Sequence, residues 1–202
     1  MDPSFPASIK PLKRSFYERN TAVVAFELIG KILSFKQDGK IFQGQIVETE
    51  AYFGTTDPAS HAFRGPTPRA RVMFGPPGFS YVYFTYGNHH CLNVVTEKET
   101  VAGAVLVRAL KPLSELETMK KRRSTNDIRK LTDGPGKLTQ AFGITREHSG
   151  RDLTAESFCI IEIESKEKTP LPINVTTRIG ISRAKEMPYR FYLTTSPFVS
   201  RK

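Results

Sequence analysis

The sequence predicts a single α+β domain built around an antiparallel or mixed sheet. Three observations carry that expectation. The chain has 202 residues, which suits one domain spanning 1–202. Strand-like apolar runs follow one another across short turns, which implies antiparallel pairing. No repeat, low-complexity stretch or linker interrupts them, and 39% hydrophobic residues are enough for one core.

In chain order, residues 1–13 read as a flexible arm. Thr21 to Leu28 has helical spacing, with Asn20 or Thr21 as N-cap and Gly30 as the stop. ILSFK, QDGK and IFQGQIVETEAYF read as a β-hairpin that turns at Asp38-Gly39. Gly54 to Pro77 is rich in Gly, Pro, Thr and Arg and reads as a long loop; in a compact domain such a loop usually carries function. YVYFTYGNHHCLNVV (81–95) is a second hairpin, crowded with aromatic rings beside its tip. GAVLVRAL (103–110), apolar almost throughout, reads as a central strand. Ser114 and Glu117 fit a capping box for a helix through about Arg122. The basic run KKRRSTNDIRK belongs at the surface, and Pro135 to Phe142 is another short helix. FCIIEIES (158–165), a segment around 172–181 and RFYLTT (190–195) complete the strands.

The formal net charge is +10, which suits a polyanionic partner, nucleic acid first and an anionic membrane surface second. Two cysteines, Cys91 and Cys159, are too few for a disulfide framework or a zinc ribbon. The first residues show no apolar signal region, and no apolar run reaches bilayer length. A soluble, cytoplasmic protein is expected. No histidine is followed two places on by Glu, so the zinc-deaminase signature is absent and no metal site is expected. DGPGKL (133–138) lacks the glycine spacing of a nucleotide phosphate loop, and Leu138 stands where that loop needs Ser or Thr. Its glycines and Lys137 could hold a phosphate at a helix start, or form a plain turn.

The acidic candidates lie in VETEAYFG. Glu48 and Glu50 are two apart, so a regular strand puts both on one face. For an arbitrary E-T-E, solvated surface carboxylates are the commoner state. In a chain that binds a polyanion, however, a carboxylate in the binding surface repels its own ligand, which points to chemistry. A carboxylate can activate water beside a sugar and stabilise an oxocarbenium-like transition state. Aromatic rings can meanwhile hold a base taken out of its stack.

Several motifs occur together in order: VETEAYFG, SHAFRG with TPRARVMF, GFSYVYFTYGNHHCLNVV, VLVRALKPL, GPGKLTQAFGI, GRDL, TRIGIS and RFYLTTSPFVS. In this the chain resembles the alkyladenine (3-methyladenine) DNA glycosylase family from about residue 14 onward. The resemblance implies a monofunctional, metal-free, cofactor-free and monomeric enzyme of bacterial type. It implies a curved, mainly antiparallel sheet with flanking helices, a fold shared with formyltransferase C-terminal domains. A protruding hairpin would enter the DNA minor groove. Substrates would be duplex DNA carrying 3-methyladenine, 7-methylguanine, hypoxanthine or ethenoadenine.

Carried over residue by residue, Glu50 is similar to the general base, and Arg108 to its partner in holding the water. The carbonyl of Ile179 would be the water's third contact. Tyr52 would stack on one face of the flipped base, with His61 and Tyr83 on the other. Asn93 would exclude the 2-amino group of normal guanine at the pocket floor, and Tyr86 would be the wedge that replaces the flipped nucleotide. Arg69, Arg71 and Arg123 resemble phosphate contacts, Lys137 belongs to the GPGK turn, and His89 would touch the groove or stand as an exposed turn residue. A cage of Tyr52, neutral His61 and Tyr83 would attract a cationic alkylpurine, which makes hypoxanthine the slower substrate. The loop after His61 is one residue shorter than in better-studied members, and the tip reads Asn88-His89 where they carry bulkier apolar groups. Two further readings are a non-catalytic nucleic-acid-binding module and a transferase on the same fold.

Overall fold

The computed structural model describes residues 10–85, 87–162 and 170–201. The first hairpin joins β1 (Ile32–Gln37) to β2 (Lys40–Phe53). Its two turn residues, Asp38 and Gly39, have φ of 50° and 73°. A two-residue turn of this hand needs positive φ at both positions, which Asp tolerates and Gly adopts freely. The second hairpin joins β3 (Ser80–Thr85) to β4 (His89–Val95), and β5 (Gly103–Pro112) follows. The short strands β6 (Thr154–Ala155), β7 (Phe158–Ile161), β8 (Ile173–Thr176) and β9 (Arg190–Leu193) come last.

Among the described residues these form one sheet in the order β3-β4-β5-β2-β1-β7-β6, with β9 joining β2 to β8. Every pairing is antiparallel; β5, expected to be central, lies inside the sheet between β4 and β2, and β2 holds the middle of the order. β2 is long enough to pair with β1 along its first half and with β9 at Glu48–Glu50. Its register against β5 shifts on both sides of Glu48. Such irregularities bend a strand and sharpen its twist, and the sheet curls into a half-barrel.

The helices are α1 (Arg14–Tyr17), α2 (Thr21–Glu27), α3 (Leu116–Arg123) and α4 (Pro135–Phe142). Asn20 caps α2 by accepting the Ala22 and Val23 N–H groups. The capping box expected at Ser114 does not form. The Ser114 hydroxyl instead donates to the Ile41 carbonyl at 2.5 Å and accepts the Gln43 N–H at 2.9 Å, so it fastens the chain to β2. α3 starts one residue later, from a left-handed Glu115 with no side-chain cap.

α2 packs on β2 and β5, and α4 on β4 and β5. Val24, Ala25, Leu138 and Phe142 from these helices share a buried core with Phe42, Leu92, Val107 and Leu110 from the sheet. A smaller cluster, including Ala62, Ala70, Met73, Tyr81 and Ala104, fastens the 54–77 loop to β3–β5. Of the expected arm, Pro11 bridges to Ile161, and the Leu12 N–H donates to the Ile160 carbonyl at 2.8 Å. The strand expected at 158–165 ends at Ile161; residues 163–165 lie outside the described residues. Among the described residues no helix is long and apolar enough to cross a membrane.

Candidate active site

Strand alternation builds the site. On β5, Val105, Val107 and Ala109 enter the core, while Ala104, Leu106 and Arg108 line a cleft of about 480 Å³. On β3 and β4, Val82, Leu92 and Val94 face the core, and Tyr81, Tyr83, Cys91 and Asn93 face the cleft. Tyr52 at the end of β2, His61 and Arg64 from the long loop, and Ile179 and Arg183 complete its walls.

Glu48 and Glu50 are both fully buried rather than solvated. Glu50 lies directly behind three of the cleft's lining residues. Its Oε2 accepts the Tyr52 hydroxyl at 2.8 Å. Its Oε1 accepts the Ile179 N–H at 2.7 Å and lies 3.2 Å from Arg108 Nη1. Burial pushes the Glu50 carboxyl up, against the lowering effect of Arg108 and these two donors. Glu48 sits deeper. It accepts from Arg108 Nε at 3.0 Å, Arg190 Nε at 2.7 Å, and Ser200 N and Oγ at 2.7 and 2.9 Å. Arg108 therefore bridges both carboxylates, and Arg190 balances the second. Two buried carboxyl groups thus meet two buried guanidiniums, the pairing that buried ionisable groups require.

The aromatic walls are set by contact. His61 stands edge-on to Tyr83, ring centroids 4.6 Å apart at 81°, and its Nδ1 lies 3.0 Å from the Tyr81 hydroxyl. His61 lines the cleft, and partial burial of its ring, aided by the Arg69 charge, lowers its pKa to about 4. The ring is neutral at physiological pH. The Tyr52 and Tyr83 phenols are raised by burial and stay protonated, so Tyr52 donates to Glu50. Asn93 is buried and donates from Nδ2 to the Tyr81 carbonyl at 3.0 Å.

The remaining predicted residues occupy different settings. Arg69 stacks on Tyr83, 4.8 Å from its centroid, and lines a second cavity of about 420 Å³. Arg71 is exposed at the start of a 3-10 turn, Arg71–Phe74. Arg123 ends α3 and donates from Nη1 to Gln140 Oε1, tying α3 to α4. Lys137 Nζ is paired with both oxygens of Asp133 at 3.0 Å. His89 packs so closely on Gly136 that a Cβ there would lie 2.8 Å from the His89 Cγ, so the Gly-Pro-Gly turn supports the hairpin tip. Tyr86 lies outside the described residues.

Sequence reading missed Asp57 and Arg178. They form a buried bidentate pair, Nη1 to Oδ2 at 2.5 Å and Nη2 to Oδ1 at 2.9 Å, and Arg178 also holds the Ala51 carbonyl. Their signals were present in the long loop and in TRIG, but neither is unusual alone. Among the described residues no group of three or more His, Cys, Asp and Glu could hold a metal ion.

An arginine-lined, aromatic-walled cleft over a buried, hydrogen-bonded carboxylate has the groups that a hydrolase of a flat ring within a polyanion would need. The methylpurine-DNA glycosylase family model matches residues 15–197, and the chain belongs to that family, whose members hydrolyse N-glycosyl bonds. Similar proteins come from Rhodopseudomonas palustris strain BisB5 (50% identity over 97% of this chain and 93% of the relative), Chlorobium luteolum (47%, 94% and 96%) and Methanoculleus marisnigri (47%, 95% and 99%). All three are provisionally named 3-methyladenine DNA glycosylase.

Proposed function

We propose that the protein is a monomeric base-excision enzyme that removes 3-methyladenine, 7-methylguanine, hypoxanthine and ethenoadenine from duplex DNA by hydrolysis. The observation that carries this reading is the Glu50 carboxylate, held by Arg108 and the Ile179 N–H immediately behind the cleft wall. Glu50 is the general base. Burial raises the Glu50 carboxyl above its ordinary value and so makes it a stronger proton acceptor toward water. The Tyr52 hydroxyl covers Oε2 in this conformation, so the catalytic cycle includes its release as the nucleotide enters. Arg108 and the Ile179 carbonyl complete the water's setting.

The extruded base stacks between Tyr52 and the His61–Tyr83 pair, at about 1–3 kcal/mol per stacked ring, which offsets the few kcal/mol of unstacking. Asn93 screens the base at the cleft floor. Tyr86 fills the gap in the duplex, and His89 follows it into the minor groove. Arg69, Arg71, Arg123 and Lys137 meet phosphates, the Lys137 contact weakened by Asp133. The enzyme works inside the cell on the chromosome, without metal or cofactor.

The test is release of base from oligonucleotide duplexes carrying each lesion, wild type beside Glu50→Gln. Excision should fall by about 10² or more, while binding of the damaged duplex persists. A wild-type chain that binds the duplex but frees no base would be a binding module instead.

A further inference from the structure

The cleft's aromatic plates are not electrically free. Arg178 lies on Tyr52 with its guanidinium carbon 4.6 Å from the ring centroid. Tyr52 lines the cleft, whereas Arg178 is buried and outside its lining, so the cation sits behind the ring and not in the cleft. The Arg178 side chain has no exposed surface and is held by the Ala51 carbonyl and by Asp57. Asp57 binds the edge of the guanidinium through Nη1 and Nη2, whereas Tyr52 covers its face. Asp57 also accepts the Phe53 and Ala59 N–H groups, which take up part of its charge. Tyr83 is backed in the same way by Arg69 from the neighbouring cavity. Arg64, Arg108 and Arg183 line the cleft itself.

An aromatic ring attracts a cation through its negative face. A second cation already seated on the opposite face repels the first and draws on the same electron density. We propose that Arg178 is a specificity-determining residue, which sets the Tyr52 plate against positively charged purines and in favour of neutral ones. This rests on the proposed base-excision reading. Hydrolysis forms a sugar C1′–O bond to water, whose proton passes to Glu50, and breaks the C1′–N bond, whose electron pair leaves with the base. A cationic 7-methylguanine leaves neutral. Neutral hypoxanthine gains negative charge as it leaves, and a fixed cation behind its stacking partner stabilises that change. The arginine therefore works against the cation preference of an unbacked aromatic cage.

The experiment compares single-turnover excision of 7-methylguanine and hypoxanthine from matched duplexes by wild type, Arg178→Met and Arg178→Lys. Arg178→Met should slow hypoxanthine more than 7-methylguanine and raise the 7-methylguanine:hypoxanthine rate ratio by about threefold or more. Arg178→Lys, which keeps the charge, should hold the ratio near wild type even where both rates fall. Arg178→Met leaves Asp57 buried without its partner, so Arg178→Met/Asp57→Asn serves where the single variant does not fold; the ratio should move in the same direction. Equal losses on both substrates, or a ratio that falls, would overturn the proposal and leave Arg178 a purely structural group. Wild type that excises neither base would instead overturn the base-excision reading, and this inference with it.

Discussion

Replacing Glu48 with alanine removes one carboxylate that four donors share. Glu48 is 0% exposed, and the two arginines it holds are only 7% (Arg108) and 5% (Arg190) exposed. After the change Arg108 still has Glu50 at 3.2 Å. Arg190 keeps the Arg201 carbonyl and the Tyr192 ring but loses its carboxylate. Breaking one partner of a buried pair costs about 3–5 kcal/mol, because the remaining charge stays desolvated. Against a total stability of about 5–15 kcal/mol, that is a large share, and for a domain of this size it lowers the melting temperature by about 6–20 °C. Glu27 supplies the control. It pairs with Arg19 at 2.7 Å, but the two side chains are 44% and 36% exposed, so Glu27→Ala should cost under about 1 kcal/mol. Urea unfolding of the wild type and both variants, with equal m-values, reads the difference. A Glu48→Ala loss no larger than that of Glu27→Ala would show that the carboxylate does not hold the two arginines together.

Two further outcomes follow from the same electrostatics. His61 is held neutral down to about pH 4, against an ordinary value of 6.5. Between these pH values the unfolded chain takes up a proton that the folded one refuses, so this contribution is complete above pH 6.5 and lost as pH falls toward 4. Wild-type stability should therefore fall more steeply than that of His61→Gln between pH 7 and 4.5; parallel declines in urea titrations would refute it. Salt dependence of DNA binding should separate two basic residues. Arg71→Ala should flatten the log Kd–log salt slope by about 0.9, while Lys137→Ala should change it less, because Asp133 already pairs with that ammonium; the reverse order in fluorescence anisotropy would contradict this.

Local signals made much of the fold legible. The Asp38-Gly39 turn, the Asn20 cap and the Pro135 start of α4 each depend on residues within a few positions of one another. Alternation along β3–β5 is local in the same way: it parts Tyr81 and Tyr83 from Val82, Asn93 from Val94 and Arg108 from Val107, whereas the pairing that brings the first four to one cleft is tertiary. Ser114 marks the limit of such reading. Its spacing to Glu117 fits a helix cap, yet the edge of β2 offers its hydroxyl two backbone partners some seventy residues away in sequence. The burial of Glu50 was equally hidden, since Ile179, 129 positions on, supplies the N–H that holds it. The same is true of Ser200 on Glu48, 152 positions apart, and of Arg178 behind Tyr52. The sequence alone determined which chemical groups exist and on which side of a strand they fall, because backbone periodicity is local. Only the tertiary structure decided which carboxylate lost its water and which cation stood behind which ring, because desolvation and charge pairing depend on distance in space.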